Sequence, residues 1–304
     1  MSQDQKKRRA GIIAQIIAQV MFGLSFMFTK EATNSATPFQ LLSWRFTLAA
    51  ILFLILIKAG FFKVSFRGKN LKTALLLGTL HPVIYFIFEN QGIALTSAGE
   101  SGTIIATVPI FALIASILVL KYKTNRYQIT GIVLTIVGAI ILVLGKQSSP
   151  TFNLLGYVLL FGCVIAYSIF AILSEKTAEF SSVEKAAIMI FTGAVFFTIT
   201  NLIIEFISGD PAAFLRLPFT NRTFLIAILY LGIGSSIIAF TCNNYALETI
   251  GTAATSSFQG IGTTVSVLAG AIFLHEQLSF PQIIATILII SGVFIANITP
   301  KTSN

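Results

Sequence analysis

FENQGIALTSAGESGTIIATVPIF (residues 88–111), followed after a basic turn by ITGIVLTIVGAIILVLG (129–145), has a second version later in the chain. There CNNYALETIGTAATSSFQGIGTTVSV (242–267) leads through FLHEQLS (273–279) to IIATILIISGVFIAN (283–297). Ala94-Leu95 aligns with Ala246-Leu247, and Gly138 with Gly292. The repeating unit is built from uncharged stretches of about 20 residues, the length a helix needs to cross a hydrocarbon layer of about 30 Å. Working outward, ten such stretches can be drawn, near 10–29, 38–57, 74–95, 102–120, 128–145, 153–173, 186–208, 223–247, 254–274 and 280–298. Of the 304 residues, 55% are hydrophobic and 10% charged, against roughly 25% charged in a soluble domain. The gaps are too short for a soluble domain of about 50 residues or more. A helix satisfies its own backbone in lipid, and the alternating pattern of a membrane strand is absent, so the predicted fold class is an all-α integral membrane protein.

Charge placement sets the expected orientation. Fifteen of the 20 Lys and Arg residues, from Lys6-Lys7-Arg8-Arg9 through Lys58, Arg67, Lys69 and Lys121 to Lys301, fall in one set of alternate gaps. The other set holds Lys30, Lys146, Arg216 and Arg222, and Arg45 lies within a span. The positive-inside rule then puts both termini in the cytoplasm, which needs an even number of crossings. The net charge of +9 is thus a topology signal, and no nucleic-acid partner is expected. MSQDQKKRR runs straight into an apolar span without a small-residue cleavage site, which predicts a retained first helix. With five spans per copy, the second copy enters the membrane inverted relative to the first. Residues 1–147 and 148–304 are the two expected repeats. Inverted repeats are a signature of alternating-access carriers, with the substrate near the midplane between halves.

The chain resembles the drug/metabolite transporter superfamily, in its EamA-like branch of ten-helix bacterial carriers, over nearly its whole length. The resemblance rests on Ala94-Leu95-Thr96-Ser97-Ala98-Gly99, Pro109-Ile110-Phe111, Leu274-His275-Glu276-Gln277-Leu278-Ser279, and the glycine-bearing fifth and tenth spans. The first copy departs with Lys121-Tyr122-Lys123 opposite His275-Glu276-Gln277, and the first span has Phe22-Gly23 where the family often has Trp-Gly. The resemblance implies a cavity lined by spans 1, 3, 4, 6, 8 and 9, with spans 5 and 10 as outer scaffold. It implies a carrier of amino acids, amines, drugs or other metabolites without choosing among them.

Candidate site residues follow from polarity inside the spans. Glu89 is the most informative, because an ionisable group facing lipid at the bilayer centre costs about 2.5–3.5 kcal/mol on insertion scales. His81, Tyr85 and Glu89, with Gly92, fall on one helical face by their spacing. Gln19, Phe22 and Phe26 form a stripe on the first span, Gln259 and Thr263 another on the ninth, and Tyr167, Phe170, Tyr230, Thr241 and Asn244 add aromatic and amide groups. Together they suggest a cavity suited to an amphipathic metabolite or an amine. The bland alternative is ordinary polar glue between helices. Arg45 reads as scaffold bonded to helix carbonyls or an acid, His81 as a packing residue, Glu100 as a helix N-terminal charge, and Glu205 and Glu276 as solvated boundary residues.

Cys163 and Cys242 lie in apolar spans and read as packing residues, without a metal or disulfide role. No dinucleotide fingerprint, phosphate loop, two-histidine zinc motif or serine nucleophile elbow occurs, so no cofactor, no metal and no enzymatic activity is expected. The leading expectation is a secondary transporter exporting amino acids or related metabolites across the bacterial plasma membrane, with protons as a candidate coupling ion and a monomer or homodimer as the unit. Uptake of a cationic amine or another nutrient is the alternative within transport. A channel or a receptor is the alternative outside it.

Overall fold

The computed structural model describes residues 3–120, 125–146, 152–177, 179–208, 210–256 and 258–296. Lys121, Tyr122, Lys123 and Lys301 lie outside them. Every regular element among the described residues is helical. In order these are α1 (Gln3–Thr33), α2 (Pro38–Lys58), α3 (Leu71–Gly78), a π-helical segment (Thr79–Ile84), α4 (Tyr85–Leu95), α5 (Ala98–Ile105), α6 (Val108–Leu120) and α7 (Arg126–Lys146). The second half holds α8 (Leu154–Lys176), α9 (Ser182–Ser208), α10 (Pro211–Thr220), α11 (Arg222–Leu229), a second π segment (Tyr230–Ala239), α12 (Phe240–Ser256), α13 (Gln259–Phe273) and α14 (Phe280–Ala296). Among the described residues, seven helices are long and apolar enough to cross a membrane, with the runs Leu71–Leu95 and Arg222–Gly251 each counted as one; three shorter apolar helices accompany them. This is the architecture of a multi-pass membrane protein.

Local chemistry starts these helices where the chain re-enters the apolar layer. Thr37 and Gln40 form a reciprocal capping box ahead of Pro38, and Ser97 and Glu100 do the same for α5. Asn70, Asn153 and Asn221 each accept a hydrogen bond from a first-turn backbone N–H. Capping matters more here than in water, since an orphan donor near lipid finds no solvent.

Packing is close because glycines sit at the crossings. The α7–α14 pair shows it best. A Cβ on Gly131 would lie 2.4 Å from the Gly292 carbonyl oxygen, and one on Gly292 would lie 2.8 Å from that of Gly131. Gly138 and Gly145, seven residues apart along the same face, meet Ile289 and Pro281. Likewise α2 lies on α9, with Gly193 admitting the ring of Phe46.

Three expectations need correction. The fourth span was placed at 102–120, yet the helix starts at Ala98, where the Ser97 cap begins it, and breaks after Ile105. Pro109 has no N–H to give back to that break. The ninth span was placed from 254, but Ala254 and Thr255 still belong to α12, which turns at Gly251 with φ 78°, and α13 begins at Gln259. The third difference is α10, which lies between two spans and was not anticipated. Asp210 caps it and Pro211 occupies its first turn.

Candidate functional site

Glu89 is 5% exposed, and two donors converge on its carboxylate. Tyr85 donates its hydroxyl to Oε1 at 2.7 Å, and Asn90 donates Nδ2 to Oε2 at 3.3 Å. The spacing of Tyr85 and Glu89, one turn apart on α4, makes the first bond a property of the helix. Below them the π segment carries Pro82, and His81 there has the non-helical angles φ −142°, ψ 107°. That irregularity seats the His81 ring among Tyr85, Phe86, Tyr167, Phe170 and Phe240, with centroids 4.6–5.4 Å away. His81 Nδ1 is buried without a hydrogen-bond partner. The segment is a kink between two helices, and Pro82 within it accounts for the break.

Around Glu89 lies a cavity of about 50 Å³. From α1 come Gln19, Phe22, Gly23, Ser25 and Phe26; from the third span His81, Tyr85, Phe86 and Glu89; from α5, α6 and the turn between them Gly102, Ile105, Ala106 and Val108. The second half contributes Tyr167, Ser235, Phe240, Gln259, Gly262 and Thr263. At about 10–15 Å³ for each water, this space has room for a few waters. A metabolite of amino-acid size needs the walls to part further. α7 and α14 supply no lining residue.

The structure therefore brings Glu89, Tyr85, His81, Gln19, Phe22, Phe26, Tyr167, Gln259 and Thr263 to one cavity. Phe170, Tyr230, Thr241 and Asn244 do not line it. Phe170 stands behind His81 at 5.0 Å. Tyr230 donates its hydroxyl to the Met21 carbonyl at 3.0 Å and stacks on Phe28 at 4.2 Å. Asn244 turns away and donates to the Phe240 carbonyl at 2.9 Å. The cause is the second π segment, whose wider turn rotates the start of α12. Phe240 then faces the cavity, Asn243 reaches the Tyr167 hydroxyl at 3.2 Å, and the buried Thr241 Oγ1 has no partner. Ser25, Phe86, Ser235 and Phe240 were not among the expected residues: Ser235 and Phe240 lie in or just past the second π segment, where the 3.6-residue period fails, while Ser25 and Phe86 are chain neighbours of the expected Phe26 and Tyr85. The small pair Ser235-Ser236 inside an apolar span was the one usable signal.

Arg45 is 1% exposed. Its Nε donates to Ser236 Oγ and its Nη2 to Ser235 Oγ, both at 2.9 Å, while its Cζ lies 4.3 Å from the centroid of Phe86. The expected partners, helix carbonyls or an acid, are replaced by two hydroxyls of the second π segment. Boundary acids are also more engaged than expected. Glu205 is 6% exposed and accepts from Gln40 Nε2 at 2.8 Å. Glu276 accepts from the backbone N–H of Ala98 at 2.7 Å and of Gly99 at 3.1 Å. Both close a helix end or a helix pair against the neighbouring half, across sequence separations that no local cue reveals. Near Glu276, Lys30 donates to the carbonyls of Ile93 and Ala94 at 3.1 and 3.0 Å. The α4–α5 turn is thus fastened by a cation on one side and an anion on the other.

The EamA-like transporter family matches residues 9–144 and again 154–298. An uncharacterized transporter of Bacillus subtilis (strain 168), YcxC, is 32% identical over 94% of this chain and 92% of its own. A probable amino-acid metabolite efflux pump of Escherichia coli (strain K12) is 21% identical, over 95% and 94% of the two chains. A solved crystal structure aligns with a TM-score of 0.64 at 18% identity, covering 96% of each chain, which shows a shared fold.

Proposed function

The chain belongs to the EamA-like transporter family, and from that premise we propose that it is a secondary carrier moving amino acids or related small metabolites across the bacterial plasma membrane by alternating access. The observation carrying this reading is the buried Glu89 carboxylate in a small cavity whose walls come from both halves of the chain. A cavity of this size between two halves suits walls that part to either side in turn, and a carboxylate in its wall can exchange a proton or face an ammonium group. Amino-acid substrates are favoured by the name of the Escherichia coli relative and by a lining that mixes carboxylate, amide and aromatic groups. The aromatic walls beside Glu89 also suit a cationic amine, so amine uptake is the second reading.

Two inverted repeats, 1–147 and 148–304, are supported by the double family match and by paired contacts. α1 packs on α12 and α13; α8, its counterpart, packs on α4 and on α5 and α6. α2 pairs with α9 and α7 with α14. The π segments fall at corresponding places, before α4 and before α12. This is the pattern expected of ten spans related by a two-fold axis in the membrane plane.

The test is counterflow in proteoliposomes. Labelled amino acid or amine should accumulate only when unlabelled solute is trapped inside, and should saturate. Flux without saturation would identify a channel, and binding without flux a receptor; either outcome overturns the carrier reading. Orientation is tested separately, in protein whose Cys163 and Cys242 are replaced by Ala. A cysteine at exposed Arg67 should be shielded from an impermeant thiol reagent in intact cells, and one at Phe219, 84% exposed, should react. The reverse pattern would place the termini outside.

A further inference from the structure

Arg45 presents a charge problem that its partners leave half solved. It is buried among the spans, and a buried cation is costly unless an anion or several good acceptors meet it. The ion pair formed among the described residues by Lys69 and Glu184 does not involve Arg45. Arg45 is outside ion-pair distance of any described carboxylate. What it touches instead are two hydroxyls and the face of Phe86.

Those hydroxyls are not equivalent. A serine oxygen that accepts from a guanidinium must point its own hydrogen elsewhere. Ser235 lines the cavity with Glu89, Gln19 and Thr263, whereas Ser236 is not among the lining residues. Ser235 therefore stands at the cavity wall with a full positive charge at 2.9 Å behind it. Its hydrogen is a donor strengthened by that charge. Glu89 feels the same guanidinium through space but takes its hydrogen bonds from Tyr85 and Asn90. Direct pairing of Arg45 with Glu89 would neutralise both. Kept apart, they give one cavity an acceptor pole and a donor pole.

We infer that Arg45, acting through Ser235, holds the carboxylate end of a zwitterionic substrate whose ammonium end is met by Glu89. This rests on the carrier reading above and narrows it, because a plain amine would use one pole alone. Arg45 is a positioning residue, and Ser235 makes the contact. The aromatic rings of Phe22, Phe26, Phe86 and Phe240, all in the lining, are left for the side chain.

The two serines supply the experiment. Equilibrium binding to purified full-length protein is measured for matched pairs that differ only in the carboxylate, phenylalanine against phenethylamine and leucine against isoamylamine. The parent should favour each amino acid by about tenfold or more, the range of one charge-assisted hydrogen bond. Ser235→Ala should bring the pair within about threefold, and Ser235→Thr, which keeps the donor, should restore the preference. Ser236→Ala loses an equal bond to Arg45 but no cavity group, so it should discriminate as the parent does. If Ser235→Ala and Ser236→Ala behave alike, Arg45 merely pins the π segment and the inference fails while the carrier reading stands. A parent that binds amines as tightly as amino acids also overturns it, in favour of amine transport. A parent that binds none of the four compounds overturns the inference as stated, and counterflow with other amino acids then decides the carrier reading separately.

Discussion

Glu89→Gln protein, reconstituted at the same density as the parent, should transport at least about tenfold more slowly and lose whatever pH dependence or cation preference the parent shows. The magnitude follows from removing a charged partner from a buried contact, worth about 1.5–3 kcal/mol. Folding should survive. Glutamine keeps an oxygen for the Tyr85 hydroxyl, which now bonds Glu89 at 2.7 Å. The other half of the amide would meet the Nδ2 of Asn90, donor against donor, yet Asn90 Oδ1 is buried without a partner. Rotating the Asn90 amide by half a turn exchanges the two atoms and gives the new amide an acceptor. Abundance and melting temperature close to the parent's are therefore expected alongside the lost flux. A variant with the parent's rate, substrate range and pH profile would reduce Glu89 to a structural residue, and the central site assignment would be lost.

The second large effect concerns Glu276. Its two oxygens accept from the N–H groups of Ala98 and Gly99 at the start of α5, the helix whose Gly102 and Ile105 form cavity wall. Each bond is charge-assisted and lies at the positive end of a helix. Glu276→Ala removes both, and at about 1.5 kcal/mol or more for each the melting temperature should fall by about 5 °C or more. Glu276→Gln, with one acceptor oxygen in place of two, should fall between. Gly270→Ala offers an independent check, since a Cβ there would lie 2.4 Å from Glu276 Oε2 and the carboxylate must shift from its present position against its two donors. Fluorescence-detected size-exclusion chromatography after heating measures all three. Melting of Glu276→Ala within about 1 °C of the parent would mean that the contact carries no weight.

Why Glu276 was read as solvated is instructive. It sits in a short polar loop after an apolar run, and every local cue places such a residue in water. Its partners are 177 and 178 residues away. No local pattern carries that distance. Glu100, by contrast, was legible as a helix N-terminal charge, because its capping partner Ser97 is three residues away. The same division separates Tyr85 and Glu89, joined within one helical turn, from Arg45, whose partners Ser235 and Ser236 are 190 and 191 residues distant.

By itself the sequence determined that this is a multi-pass helical membrane protein of the transporter kind. Those properties depend on sums over local composition: apolar runs long enough for a bilayer, and self-similarity that survives without knowledge of contacts. It also nominated Glu89, since a charge within an apolar run stands out wherever the helix points. The tertiary structure alone decided which polar residues share a cavity. An α-helix turns 100° per residue only while its period holds, and the π segments at Thr79–Ile84 and Tyr230–Ala239 break that period. Past the second of them Phe240 and Asn243 take the faces that an unbroken helix would assign to Thr241 and Asn244. A residue's place along a span is written in its neighbours, but its direction depends on every turn before it and on what packs across the bundle.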